Sequence, residues 1–278
     1  MYVSMIGMMK VAREKGFTIP AASAANEHAA RAAIQAAEEN NSPLILICMH
    51  RNAVDIEFFG SMIRELALRT HIPVALCQDH GATYEEAIWC IKSGFTDIMV
   101  DRSTLPYEEN VAQVKELVKI AHAVGVGVEA ELGHVGGNGE EATGNEGVFT
   151  VPSEAVSFVK ETGVDALAVA IGTAHGPYKG IPKIDFDLLK KLKEAVDVPL
   201  VLHGGSGTGE ENLARAAREG ICKLNIANDL YQASIANIDH TGFGAYAMYN
   251  KINEGYKKKL TEYMKIIGSV GKADLFKK

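Results

Sequence analysis

Five of the nine histidines in this 278-residue chain stand where short apolar runs give way to polar or glycine residues. An imidazole nitrogen is a good ligand for a divalent transition metal, and three rings around one ion leave a coordination position open for water or substrate. Each ring taken alone is more often a hydrogen-bonding residue of a loop than a metal ligand. The five are His50, His80, His134, His175 and His203.

The next residue along the chain separates three of these histidines from the other two. His80, His175 and His203 are each followed by glycine, in DHG, AHG and LHGG. Glycine lets the backbone turn away sharply after a ligand and lets a substrate approach closely. These three rings are the candidate metal ligands. The remaining four histidines of the chain are expected in helices, before a strand or in a late loop, without a chemical role.

Asp79 stands directly before His80, at the end of the stretch VALCQD (74–79). A carboxylate is costly to bury unless a metal, a hydrogen-bond donor or a reacting substrate satisfies it. Beside a metal-bound substrate it could move a proton as a general acid or base. It could equally orient His80 from behind the metal. The sequence leaves both roles open.

The segment HGGSGTGEEN (203–212) predicts an anion site. It leaves a predicted strand through a Gly/Ser loop and enters a helix, and backbone N–H groups in such loops hold phosphate. Ser206 would add a hydroxyl donor, and Lys179, after AHGPY, would add positive charge. A glycine-rich loop is a weak signal alone and a stronger one after the seventh strand of a barrel.

Eight apolar runs of strand length recur along the chain, separated by amphipathic segments typical of helices. Continuous apolar runs are typical of strands covered on both faces, as in parallel sheets. They predict one (β/α)8 TIM barrel domain over residues 1–278, with a long C-terminal helical region at 229–262; a doubly wound open sheet is the alternative. Active sites of barrels lie at the carboxyl ends of the strands, so the five histidines and Asp79 would meet at one mouth. The runs are FTIPAASA (17–24), PLILICM (43–49), PVALCQD (73–79), DIMVD (97–101), GVGVEAELG (125–133), ALAVAIG (166–172), PLVLHGG (199–205) and CKLNIA (222–227).

Charge and composition argue against several functions. The formal net charge is -7 and the charges are scattered, whereas a nucleic-acid partner would require clustered Lys and Arg. No apolar run reaches about 18 residues and no signal-peptide pattern opens the chain, so neither a membrane nor secretion is expected. The four cysteines form no CxxC pair, which favours a reducing cytoplasm. We expect a cytoplasmic protein that acts on a small molecule.

Together these segments resemble the class II, zinc-dependent ketose-bisphosphate aldolases, the family of the fructose- and tagatose-bisphosphate aldolases. The resemblance covers nearly the whole chain and is most specific in AVAIGTAHG (168–176) and HGGSG (203–207). Other segments that follow the family's pattern are SGFTDIMVDRSTLPYEEN (93–110), VEAELGHVGG (128–137) and GICKLNIAND (220–229).

The resemblance implies a set of metal ligands. His80, His175 and His203 resemble the three ligands of the catalytic zinc. Asp101 and Glu131 resemble acidic positions around a second, more exposed divalent ion, although ordinary ion pairs of the rim explain them equally well. A monovalent cation is a further expectation.

The resemblance also implies catalytic and substrate-binding residues. Asp79 resembles the aspartate that exchanges a proton with the C4 hydroxyl of the ketose. The general base is expected at Glu140 or Glu141, in the loop NGEEATGNEG (138–147). The residues that resemble substrate-binding positions are Gly176, Lys179, Gly204, Gly205, Ser206, Asn225, Ala227 and Asn228.

The implied reaction is reversible cleavage of a phosphorylated ketose, such as fructose or tagatose 1,6-bisphosphate, to dihydroxyacetone phosphate and an aldehyde. Zinc would act as a Lewis acid and stabilise the enediolate left by C3–C4 cleavage. The alternatives are a barrel isomerase or epimerase using the same enediolate, a non-catalytic sugar-phosphate-binding homologue, and a Schiff-base route through Lys223. The resemblance further implies a homodimer or homotetramer working in carbohydrate metabolism such as glycolysis.

Several positions depart from the family pattern. Cys77 stands in place of a histidine, Arg102 in place of a glycine and Asn228 in place of a threonine, and CMHRNA (48–53) replaces a segment with a small hydroxyl residue and glycines. The residues for the metal and for the dihydroxyacetone-phosphate half of the substrate follow the pattern, so that half is expected to be retained. The aldehyde partner is expected to differ from glyceraldehyde 3-phosphate, with Arg51 and Arg102 as candidates for binding an anionic group on it.

Overall fold

Eight short parallel strands form a closed barrel in the computed structural model, which describes residues 1–137, 147–238 and 244–277. Each strand pairs with the next in the chain, and the eighth pairs with the first. Every predicted run overlaps an observed strand, so the (β/α)8 barrel is confirmed and the open sheet is wrong. The strands are β1 (Ile19–Ser23), β2 (Leu44–Cys48), β3 (Val74–Gln78), β4 (Asp97–Val100), β5 (Gly127–Leu132), β6 (Ala166–Val169), β7 (Leu200–Leu202) and β8 (Ile221–Ile226).

The helices cover the outside of the barrel, and local side chains set where several of them begin and end. Thr83 and Glu86 form a reciprocal capping box at the start of the fourth helix, and Gly163 ends the sixth in a left-handed conformation. The helices are α1 (Met5–Lys15), α2 (Glu27–Glu39), α3 (Ile56–Arg69), α4 (Tyr84–Lys92), α5 (Tyr107–Ala123), α6 (Pro152–Thr162), α7 (Phe186–Ala195), α8 (Glu210–Glu219), α9 (Asn228–Ala236) and α10 (Ala245–Ile266).

Alternate side chains of the strands face the barrel axis, as the two-residue period of a strand requires. One set packs outward against the helices, and the other forms a separate interior cluster. The amino-terminal part of this interior is apolar and is closed by α1. Met5, Met8 and Met9 of α1 are buried in the interior cluster. Asp97 anchors α1, because its carboxylate accepts hydrogen bonds from the Met5 backbone N–H and the Ser4 hydroxyl.

The predicted C-terminal helical region consists of two helices, α9 and α10, on either side of residues 237–244. Helix α10 packs against α2 and α9. The Tyr256 hydroxyl donates to the carbonyl of Ser23, the last residue of β1, at 2.6 Å. Over the described ranges, no helix has both the length and the apolar character needed to cross a membrane.

Candidate metal centre and substrate cavity

Three imidazoles meet at the carboxyl ends of the strands. His80 follows β3, His175 lies in the loop after β6, and His203 directly follows β7. One nitrogen from each ring lies within 4.8 Å of the others. The ring of His80 is 4.8 Å from that of His175 and 4.7 Å from that of His203, centroid to centroid. The structure therefore brings together the three histidines that the following glycines single out.

The backbone turns sharply at these histidines, but not in the same way at each. Gly176 and Gly204 have positive φ angles of 93° and 68°. At the first site His80 itself has a positive φ, of 43°. This left-handed conformation is strained for any residue with a side chain, and such strained residues are concentrated at functional sites. Gly81 is needed there for space, because a Cβ would lie 2.7 Å from the Met99 carbonyl oxygen of β4.

His80 is oriented by a carboxylate from the neighbouring strand end. Its Nδ1 lies 2.7 Å from Oδ2 of Asp101. Burial disfavours the imidazolium, but the Asp79 charge and the Asp101 hydrogen bond outweigh it and raise the pKa of His80. Asp101 and Glu131 also form with His80 a second group able to hold a cation. Asp101 is thus placed either to orient His80 or to bind an ion directly.

His203 lies wholly inside the barrel between two carboxylates. Its Nε2 is 2.9 Å from Glu129 and its Nδ1 is 3.1 Å from Glu131. Burial alone would lower the pKa of His203, but these two hydrogen bonds raise it to about 10. Glu129 is held in turn by the Lys223 ammonium at 2.8 Å. A ring so placed sits in a pocket that favours positive charge.

His175 differs electrostatically from its two neighbours. Burial, together with the nearby His80 and His203, lowers the pKa of His175 to about 3. The ring is therefore neutral at physiological pH, which is the form that binds a metal. The other two rim histidines are placed differently. His134 is one-third exposed beside Ser103, and His50 begins a 3-10 turn after β2.

Asp79 is buried at the mouth beside the three rings. Its Oδ1 lies 4.0 Å from Nε2 of His80 and accepts a 3.0 Å hydrogen bond from Nδ2 of Asn225 on β8. The Oδ1 atom of Asn225 is buried and has no hydrogen-bond partner among the described residues. A buried acceptor of this kind is costly unless a ligand satisfies it. The pair therefore presents one carboxylate and one free amide oxygen to the cavity.

A cavity of about 160 Å³ opens beside the imidazoles and is lined by most of the predicted substrate-binding residues. Lys179 is not part of its lining; it lies exposed in the loop after β6. Gly204 is needed for space as well as for its positive φ, since a Cβ there would lie 2.3 Å from the Ala174 carbonyl oxygen. The predicted residues in the lining are Gly176, Gly204, Gly205, Ser206, Asn225, Ala227 and Asn228.

Ser206 is held by the start of α9. Its hydroxyl oxygen accepts from the backbone N–H groups of Ala227 and Asp229, at 3.3 and 3.2 Å. The Ser206 side chain also hydrogen-bonds with Tyr263 of α10, so this residue joins the glycine loop to the last two helices. Tyr178 ties this loop to the previous one, because its hydroxyl accepts from Ala174 N–H and lies 3.0 Å from the Gly204 carbonyl.

A second cavity, of about 310 Å³, continues from the first past His80, His175 and Met49. It is lined by Asp101, Glu131, His134 and Arg51 among others, so it is richer in charge than the first. Glu140 and Glu141, the predicted alternatives for the general base, lie outside the described residues.

The anion-binding prediction for Arg102 is wrong, and so is the alternative of a Schiff base at Lys223. Arg102 is buried and donates to the carbonyl oxygens of Gly81 and Asp101 and to Gln113, so it supports the rim and cannot receive a substrate anion. Lys223 is fully buried in the ion pair with Glu129, which raises its pKa against the effect of burial. A Schiff-base lysine has to be neutral and accessible.

Comparison with known proteins agrees with this geometry. The sequence matches the family described as fructose-bisphosphate aldolase class-II over residues 3–272. It is 37% identical to a fructose-bisphosphate aldolase of Staphylococcus aureus over 237 residues, 84% of this chain and 83% of that protein. It is 38% identical to a fructose-bisphosphate aldolase of Geobacillus stearothermophilus over 229 residues, 81% and 80% of the two chains. The solved structure of the YdjI aldolase from Escherichia coli matches with a TM-score of 0.90 at 32% identity, covering 98% of this chain and 100% of that one.

The closed barrel and these relatives define an aldolase, an enzyme of the lyase class. The chain belongs to the class-II fructose-bisphosphate aldolase family.

The residues at the mouth fit the divalent cation on which this family depends. Three nitrogens from separate strand ends converge, and carboxylates behind them orient the rings. Imidazole ligands backed by carboxylates are a recurrent arrangement of protein metal sites. Asp79, Asp101, Glu129 and Glu131 surround the group, so the electrostatic field of the mouth favours a cation.

Proposed function

We propose that this protein is a zinc-dependent aldolase that reversibly cleaves a phosphorylated ketose to dihydroxyacetone phosphate and an aldehyde. The candidate substrates are fructose 1,6-bisphosphate, tagatose 1,6-bisphosphate and related ketose phosphates. The observation that carries the proposal is the contact between two sites: the group of His80, His175 and His203 borders the same cavity as the loop of Gly204 to Ser206.

The glycine loop would bind the phosphate end of the substrate. Its backbone and the Ser206 hydroxyl offer donors on one side of the cavity, and the adjacent end of α9 adds a helix N-terminus. Holding the non-reacting end in this way places the carbonyl near the imidazoles and reduces the entropic cost of the reaction. Lys179, exposed in the neighbouring loop, would add positive charge near the phosphate.

The three histidines would hold the ion through ring nitrogens, and Asp101 and Glu131 would hold a second divalent ion where one binds. A bound Zn²⁺ would act as a Lewis acid toward the substrate oxygens on which negative charge develops as C3–C4 breaks. The all-nitrogen ligand set favours zinc, with cobalt or manganese as substitutes.

Asp79 would move the proton of the C4 hydroxyl. It reaches the cavity beside His80, and Asn225 fixes one of its oxygens while leaving the other available. In the cleavage direction Asp79 takes the hydroxyl proton as the C3–C4 bond breaks, and the residue expected at Glu140 or Glu141 would deliver a proton to C3; in condensation both transfers run in reverse. The free Oδ1 of Asn225 would accept a hydrogen bond from a substrate hydroxyl.

The aldehyde half would lie in the second cavity. Arg51 and Met49 line this cavity beside His134. Arg51 and Met49 come from CMHRNA (48–53), the segment that departs from the family pattern. We propose that the aldehyde product carries an anionic group that Arg51 binds, and that it differs from glyceraldehyde 3-phosphate.

A coupled assay for dihydroxyacetone phosphate tests the proposal. The purified protein is tested on fructose 1,6-bisphosphate, tagatose 1,6-bisphosphate and longer ketose phosphates, before and after chelation and after return of Zn²⁺, Co²⁺ or Mn²⁺. We expect dihydroxyacetone phosphate from at least one substrate, lost on chelation and restored by Zn²⁺. Ketose consumption without that product would indicate an isomerase or epimerase. Tight binding of the ketose phosphate without turnover would indicate a binding protein.

We further propose that the protein works in the cytoplasm, in glycolysis or a related carbohydrate pathway, as a homodimer or homotetramer. The family supports the metabolic role. Light scattering of the purified chain tests the oligomeric state, and a monomer would contradict it.

A further inference from the structure

A buried chain of charged side chains links the barrel interior to the candidate metal centre. Lys223 on β8 donates to Oε2 of Glu129 on β5 at 2.8 Å, and Oε1 of Glu129 lies 2.9 Å from Nε2 of His203. The side chains of all three are at most 1% exposed. The two oxygens of one carboxylate are thus divided between a lysine and a histidine.

This ion pair is unusual for its place. The interior layers of a (β/α)8 barrel are normally filled by Val, Ile and Leu. Desolvation makes a buried ion pair costly, and well-packed apolar residues in its place are often as stabilising. Small side chains make room for the pair here, with Ala166 opposite Glu129 in the pairing of β5 with β6. Stability of the barrel alone does not explain why charged residues occupy this layer.

The contact between Glu129 and His203 decides which ring nitrogen is left for a cation. Nε2 is engaged on the inner side by Glu129. Nδ1 faces Glu131, which belongs with His80 to one of the two groups able to hold a cation. Nδ1 is bonded to Glu131 in the same way, and a cation that replaces the proton there would take the Nδ1 lone pair while Nε2 keeps its proton on Glu129. The Lys223 ammonium holds the Glu129 carboxylate in place for this contact.

We propose that Glu129 and Lys223 are positioning residues of the metal centre: Glu129 fixes the tautomer and orientation of His203, and Lys223 acts through Glu129. The proposal rests on the metal-dependent function proposed above. It gives Lys223 a role other than the Schiff-base nucleophile, because its amine is directed at Glu129 and not at the cavity.

Metal affinity tests this role without relying on activity. Metal-free wild type and the variants Glu129→Gln, Lys223→Met and the double variant are titrated with Zn²⁺ in competition with a chromogenic chelator. The Co²⁺ absorption spectrum reports the ligand geometry in parallel. We expect each single variant to bind Zn²⁺ roughly 10–100-fold more weakly, the range measured for residues that support metal ligands. The Co²⁺ spectrum should change as well.

The double variant tests whether Lys223 acts through Glu129. If it does, Glu129→Gln/Lys223→Met should bind Zn²⁺ no more weakly than Glu129→Gln alone, because residues acting in one chain are not additive. Weakening equal to the product of the two single effects would overturn this link. The double variant also leaves no unpaired buried charge, so where either single variant fails to fold, the Zn²⁺ affinity of the double variant itself tests the positioning role, with a wild-type value overturning it.

An exposed pair of the same residue types provides the matched control. Lys257 and Glu39 are also 2.8 Å apart, between α10 and α2, and Glu39→Gln and Lys257→Met should leave Zn²⁺ affinity unchanged. Wild-type Zn²⁺ affinity and an unchanged Co²⁺ spectrum in folded Glu129→Gln would overturn the positioning role. A wild type that binds Zn²⁺ but forms no dihydroxyacetone phosphate would instead overturn the proposed function alone.

Discussion

Asn225 donates a hydrogen bond from Nδ2 to Oδ1 of Asp79 over 3.0 Å, so a residue of β8 holds the carboxylate that follows β3. The contact crosses the barrel mouth between segments 146 residues apart in the chain. It leaves Asp79 beside His80 without a hydrogen bond between them, since Nε2 of His80 is 4.0 Å from Oδ1 of Asp79. This arrangement supports the proposed part of Asp79 in proton transfer, with orientation of His80 as the alternative.

Replacing Asp79 by Asn should separate these two roles. Loss of a positioned general acid or base lowers turnover by about 10²–10⁴-fold, and we expect that loss in kcat with Zn²⁺ affinity unchanged. A matching fall in Zn²⁺ affinity would indicate that Asp79 orients His80. Asp165→Asn is the control, because Asp165 pairs with His122 at 2.8 Å on the outer surface and should affect neither quantity.

Chelation should destabilise the fold as well as stop turnover. A ligand that binds only the folded state adds about 2.7 kcal/mol of stability at 100 times its dissociation constant. Urea unfolding with and without Zn²⁺ should show an increment of this order for wild type and none for His175→Ala. His122→Ala, outside the cluster, should retain the stability increment. If that variant lost the increment, Zn²⁺ would be stabilising the protein by binding at His122 and not at the three histidines.

Gly204 and Gly16 provide a matched pair for testing the phosphate loop. Their φ angles are 68° and 69°, but an added Cβ meets the Ala174 carbonyl oxygen at 2.3 Å at Gly204 and nothing within 4 Å at Gly16. Gly16→Ala should lower the free energy of unfolding by roughly 1 kcal/mol, because alanine disfavours the left-handed conformation, and should leave the kinetics unchanged. Gly204→Ala should in addition raise KM for the ketose phosphate by at least tenfold. Equal kinetics in the two variants would argue against a phosphate site at this loop.

Asp97 should make stability depend on pH in an unusual direction. Burial raises the pKa of Asp97 from 3.8 to about 6, although hydrogen bonds from Met5 and Ser4 act the other way. The folded state therefore holds the proton over a range where the unfolded state has lost it. The contribution of Asp97 is fully present below about pH 4 and falls as pH rises through 6, by roughly 3 kcal/mol in total. Urea unfolding of wild type relative to Asp97→Asn should favour wild type more at pH 4.5 than at pH 7, and a pH-independent difference would contradict the shift.

Arg51 should determine selectivity for the aldehyde half. A hydrogen bond to a charged group contributes about 1.5–3 kcal/mol, so Arg51→Gln should raise KM roughly tenfold or more for ketose phosphates with a second anionic group. Ketose 1-phosphates without that group should be unaffected. Arg69→Gln, at an exposed pair with Glu65 on α3, is the control. An equal rise in KM for both substrate classes would show that Arg51 supports the structure and does not bind the second anionic group.

The barrel and the three converging histidines could be predicted because their signals are local. Each strand is an apolar run covered on both faces, and each histidine is marked by the glycine that follows it. Because the strands are parallel and the barrel is closed, the carboxyl ends of β3, β6 and β7 then meet at one mouth. Sequence reasoning was least reliable for the long cationic side chains, since no pattern shows whether a guanidinium reaches the cavity or, like that of Arg102, folds back onto carbonyl oxygens.

The buried chain of Lys223 and Glu129 was missed because its members are 94 residues apart and pair only through the register of the closed barrel. A signal was nevertheless present. Glu129 and Glu131 are two residues apart in VEAEL, so they share one face of β5, and two carboxylates inside a barrel require partners. Tyr178, which joins two loops through one hydroxyl, left no such signal.

The Tyr178 hydroxyl bridges the residue before His175 to the residue after His203. A shift of the glycine loop at Gly204 would therefore reach the residues next to His175 and His203 through one side chain. If the loop binds phosphate and the histidines bind a cation as proposed, the two binding events are mechanically coupled through this hydroxyl. A substrate that seats its phosphate poorly would misalign the reacting end even where that end fits well.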